Sequence, residues 1–96
     1  MLTLRGPSVM KLHASDQFPA LTLVMRGRAK YKIVRTVRDA AEILIIDWPS
    51  DDGEEYVTAV RACLRALHNE IPPESVRAAL IRAADEERIS YISLVA

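Results

Sequence analysis

Ala20-Leu21-Thr22-Leu23-Val24-Met25, then Arg26-Gly27-Arg28-Ala29, then Lys30-Tyr31-Lys32-Ile33-Val34-Arg35 is the stretch whose reading decides the fold of this chain. Apolar residues alternate in the first and last parts, and a period of two is that of a strand with one face toward a core. The middle part supplies a turn whose Gly27 can take a positive φ. The pattern predicts a β-hairpin with Leu21, Leu23 and Met25 on one face of the first strand. In the second strand it predicts Tyr31 and Ile33 pointing inward and Lys30 and Lys32 outward.

Downstream, the period changes. Thr36 can cap a helix through its hydroxyl, and Asp39, three residues on, favours the positive helix end. Val37, Ala40, Ala41, Leu44 and Trp48 then follow helical spacing. Ile43, Ile45 and Ile46 would also suit a strand, but length and the cap favour helix. Trp48-Pro49 closes it, because the residue before proline is pushed out of the α region. Glu54 and Glu55 open a second helix with an apolar stripe of Tyr56, Val60, Cys63, Leu64 and Leu67. Pro73 suits the first turn of a third, which buries Val76, Ala79, Leu80, Ala83 and Ala84 and pairs Arg82 with Glu86 on its surface.

Residues 89–95 are rich in strand formers. A two-stranded hairpin alone is marginal, so a short third strand there would be physically useful. Upstream, residues 1–19 lack a clear period and read as a loosely ordered arm. The expected architecture is α+β: a single domain over residues 20–96, with an N-terminal β-hairpin, with or without a short C-terminal third strand, packed on three α-helices.

Composition sets outer limits. The chain has 96 residues, half of them apolar and 27% charged, which is ordinary globular usage for one domain. A single cysteine excludes an intrachain disulfide and a cysteine-based zinc site. No apolar run approaches the roughly 18–20 residues of a membrane-spanning helix, and the N-terminus does not resemble a signal peptide, so a cytoplasmic protein is expected. Formal net charge is zero, yet residues 1–38 carry eight basic residues and one acid, while residues 39–96 carry five basic residues and twelve acids. Such asymmetry points either to a polyanionic partner or to one half of the fold complementing the other.

Catalytic equipment is not evident. Cys63 lies on an apolar stripe where a small buried hydrophobe is expected, and His68, five positions on, faces elsewhere. The acids Asp51, Asp52, Glu54 and Glu55 lack the alternating spacing of a calcium loop, and two of them suit a helix start. No glycine-rich phosphate loop or nucleophile elbow is present. No catalytic, cofactor or metal residue is assigned. The one suggestive surface is basic: Arg26, Arg28, Lys30, Lys32, Arg35 and Arg38. It could track phosphates, or the two lysines could protect an exposed strand edge.

Trp48-Pro49, Gly53, Tyr56, Ala59, Cys63, Ala66-Leu67, Val76-Arg77, Ala79-Leu80 and Ala83-Ala84, taken in order, resemble a small alphaproteobacterial family common in rhizobia, domain of unknown function 982. The resemblance covers roughly residues 20–90 and is most specific in its middle third. It implies fold limits and a bacterial cytoplasmic origin, and it implies no activity. The expected function is a protein-interaction or self-association module. Nucleic-acid binding through the basic hairpin is the alternative, and no membrane partner is expected.

Overall fold

The described residues of the computed structural model are 16–25 and 31–93. Residues 1–15 of the expected arm, the hairpin turn at 26–30 and the end of the optional third strand lie outside them. Strand β1 (Gln17–Val24) pairs antiparallel with β2 (Tyr31–Thr36). Helix α1 (Val37–Glu42) continues as a π-helical segment, Ile43–Asp47, and is followed by α2 (Glu54–Leu67) and α3 (Pro73–Glu86). Strand β3 (Ser90–Ser93) then pairs antiparallel with β1, giving the sheet order β2-β1-β3. The fold is α+β, with the expected hairpin and three helices, and the third strand is formed.

Leu21 and Leu23 are wholly buried and Met25 is buried, as alternation predicts. Phe18 is buried too, although it lies an odd number of residues from Leu21. A register shift falls in the same stretch, where the four positions from Gln17 to Leu21 span only two of β2. Regular alternation does not run through it, and Pro19 lies within this irregularity. Proline has no N–H to give the ladder, and a bulge is where a strand tolerates it.

The facing of β2 is the reverse of the expectation. Val34 is buried and Lys32 half-buried, whereas Tyr31 is 65% and Ile33 54% exposed. The pairs Leu21–Val34 and Leu23–Lys32 are directly opposite, and opposite residues share a face. With Leu21 and Leu23 fixed in the core, Val34 and Lys32 must lie on the helix side. Tyr31 and Ile33 then fall on the other face beside Thr22, Val24 and Ile92.

The helices stack on the Leu21 side in two layers. α1 lies against β2, α3 lies against β1 and β3, and α2 packs on α1 and α3 rather than on the sheet. Thr36 caps α1: its Oγ1 accepts from the Asp39 N–H at 3.0 Å, and Asp39 Oδ2 accepts from the Arg35 N–H at 3.0 Å. Helical structure ends at Asp47, and Trp48 is extended before Pro49. Both long helices end in the same way. Asn69 and Arg88 take left-handed φ of 62° and 60°. Glu70 N–H reaches Arg65 O, and Ile89 N–H reaches Ala84 O, both at 2.8 Å. These are Schellman closures, and the second seats Ile89 in the core.

Gly53 precedes α2 and has no side chain with which to cap it. Glu86, the last residue of α3, does so instead. Its carboxylate accepts from the N–H groups of Glu55 at 3.1 Å and Tyr56 at 3.2 Å. A Cβ on Gly53 would come 2.7 Å from Glu86 Cδ, so glycine is what lets the carboxylate approach. The expected Arg82–Glu86 pair is therefore replaced: Arg82 reaches Glu55 at 3.5 Å, and Glu86 serves α2. Arg77 ties α3 to the sheet, donating from Nε to Pro19 O at 2.9 Å and from its terminal nitrogen to the Ser93 hydroxyl.

Candidate functional site

Arg26, Arg28 and Lys30 lie outside the described residues. The other three members of the basic cluster are divided among different surroundings. Lys32 starts on the helix side of the sheet and extends its ammonium to Asp47 Oδ2, 3.6 Å away. Here the basic hairpin and the acidic segment that follows α1 meet within one chain. Arg35 is exposed and falls on the open sheet face with Tyr31 and Ile33. Arg38 is exposed on α1, at the edge of an apolar patch that includes Ala41, Ile45, Ile46 and Leu67.

That patch did not emerge from the basic residues, and it is the larger departure from an ordinary monomer surface. α2 turns Ala59, Cys63 and Ala66 into the core. Its larger apolar residues Leu64 and Leu67, expected to be buried, are 54% and 42% exposed, and Val57 joins them outside. Beside them the π-helical segment holds Ile43 and Leu44 inward and presents Ile45 and Ile46 at 71% and 73% exposure. Single exposed apolar residues are unremarkable, but these lie together on one side of the molecule, and their grouping is what calls for an explanation. A π-helical turn inside a helix is itself frequent at functional positions.

The sequence did carry a signal for this. From Ala66 round to Val57, the apolar residues of α2 span roughly half of the helix circumference, wider than the roughly 100° stripe one core-facing side needs. A helix in an outer layer has only one buried side, so the surplus arc must face outward.

Cys63 lies under this surface, 2% exposed. Burial raises its pKa to about 11 from the usual 9.0, because the apolar surroundings disfavour the thiolate. Its burial and its apolar surroundings suit Cys63 to packing. His68 sits exposed at the end of α2. Among the described residues no group of three or more histidine, cysteine or acidic side chains is placed to hold a metal ion. No helix among them is long and apolar enough to cross a membrane.

The sequence model of a family described as "Protein of unknown function (DUF982)" matches residues 19–91, most of the chain. No curated protein and no solved structure matches it.

Proposed function

The chain belongs to the DUF982 family, and from its surfaces we propose that it is a non-catalytic protein-interaction module of the cytoplasm. The carrying observation is the inversion on α2, which buries its small residues and exposes Leu64 and Leu67 beside Ile45 and Ile46. A partner covering these four side chains would remove enough apolar surface to favour association by several kcal/mol before the entropy of docking is subtracted. A photo-activatable cross-linking residue in place of Leu64, in the full chain within its native cells, tests the reading. Discrete adducts are expected from position 64, and none from the exposed Thr58. Absence of any adduct at position 64 would end it.

A second reading is nucleic-acid binding by the hairpin, and the outward turn of Tyr31 supports it. An exposed aromatic on an open sheet face can stack on a base, with Arg35 on the same face to meet a phosphate. Binding of single-stranded oligonucleotides at low salt should then weaken steeply as salt rises. It should also be lost in Tyr31→Ala and Arg35→Glu. No binding at low salt would remove this reading.

A further inference from the structure

We propose that the covering partner is a second copy of this chain, the two apolar stripes of α2 and its neighbouring π-helical segment meeting antiparallel about a twofold axis. This rests on the interaction reading above and names its partner.

The shape argues against a small ligand. The cleft walled by Ile45, Leu64 and Leu67, with Leu44 and Cys63 beneath, has a volume of about 40 Å³. The adjoining hollow along Arg38, Ala41, Glu42, Ile45, Ile46 and Leu67 is larger, about 410 Å³, but it lies open to solvent, whereas small-molecule sites of roughly 300–1,000 Å³ enclose most of their ligand. What remains is a shallow apolar surface along helices, the kind that another helix surface covers.

The charges around it identify which surface. Arg38 and Glu42 border the patch on the α1 side. Glu54 and Arg61 are exposed on α2, on the other flank of the Val57–Leu64 stripe. None of these four makes an ion pair among the described residues, where the pairs are Lys32–Asp47, Arg65–Glu70 and Arg82–Glu55. Two cations and two anions leave the rim without net sign. A rim built for a strongly acidic or basic partner would carry one sign. With the twofold axis level with the midpoint between Arg38 and Glu42, each Arg38 would face the other copy's Glu42. Within a single helix, arginine preceding glutamate by four is the weaker order, which leaves both side chains available for this contact. An isologous contact needs this self-complementarity.

Sedimentation across a micromolar concentration series tests the proposal. The unmodified chain should dimerise, while Leu64→Glu and Ile46→Glu should remain monomeric with unchanged circular dichroism. Ile33→Glu, on the open sheet face, should dimerise normally. Arg38→Glu and Glu42→Arg should each weaken the dimer roughly tenfold or more. An equimolar mixture of those two variants should recover unmodified affinity, since each mixed pair restores both contacts. A dimer that survives Leu64→Glu, or a mixture no tighter than its components, would overturn the proposal. So would a strict monomer at high micromolar concentration. In that last case, a cross-linked adduct with a different protein at position 64 would still sustain the interaction reading.

Discussion

α2 and α3 are each 14 residues long and lie against each other, yet they distribute their apolar side chains in opposite ways. α3 buries Val76 and Leu80 together with three alanines, and its charged residues Arg77, Arg82 and Glu86 reach the sheet and the start of α2. α2 buries only alanines and a cysteine, and its leucines face outward. The difference follows from position. α3 is sandwiched between the sheet and α2, so it can bury large residues, whereas α2 is the outer layer with a single inner side. Small residues on that side let the helix pair approach closely. The leucines that the core does not use remain exposed on the outer side.

The largest test of this contrast compares two leucines. Leu80→Ala empties a wholly buried site and should cost about 3 kcal/mol of unfolding free energy in urea titration. Leu64→Ala, on the exposed stripe, should change the stability of the monomer by less than about 0.5 kcal/mol. Similar costs at the two positions would break the contrast.

Cys63 probes the inner side of α2 through pH. Its folded pKa of about 11 lies above the unfolded value of 9.0, so the thiol form contributes stability that is complete below pH 9. That stability is lost as pH rises from 9.0 through about 11. A chain carrying Cys63→Ala should show a shallower fall in stability over this window. In the folded unmodified chain, iodoacetamide should label Cys63 at pH 7 far more slowly than in urea. Equal labelling rates would mean that the inner side of α2 is open to solvent.

The junction of the two helices gives a smaller effect. Glu86→Ala removes the acceptor for two N–H groups of α2 and should cost about 1 kcal/mol. Gly53→Ala should cost up to the same amount, because its Cβ displaces the same carboxylate. Combining the two should give much less than the sum of the single costs, since both remove one interaction. Additive costs would show that Gly53 has some other role.

These same regions show how far the sequence could be read. Alternation from Leu21 and again from Lys30 was enough for the hairpin, and Thr36 for the start of α1, whereas the strand-forming residues after Ile89 left β3 an open option because only the pairing with β1 decides it. The facing of β2 was not legible, because a one-residue change in register moves every side chain to the opposite face, and the Arg26–Ala29 turn does not fix the register strongly. The irregularity in β1 hid Phe18 for a related reason: alternation cannot be counted through it. On α2 the apolar arc was visible, but which part of it faced inward depended on the layer the helix occupies, a property of the assembled fold. The role of Glu86 had a faint sign in the run Asp85-Glu86-Glu87. Acids at a helix C-terminus oppose its dipole and call for another use. Of the basic cluster, Lys32 was recognisable as a charge, but its distance from Asp47 depends on how the helices stack on the sheet.

The carboxylate of Glu86 also joins positions 31 and 30 residues away, and so links the start of α2 to the completion of α3. First-turn amides of a helix ordinarily exchange their hydrogens with solvent quickly, because they have no partner within the helix. Those of Glu55 and Tyr56 are held instead by a side chain from the far end of the next helix. Their exchange should therefore be slower than that of other first-turn amides and should quicken in Glu86→Ala, which makes them local reporters of the α2–α3 junction.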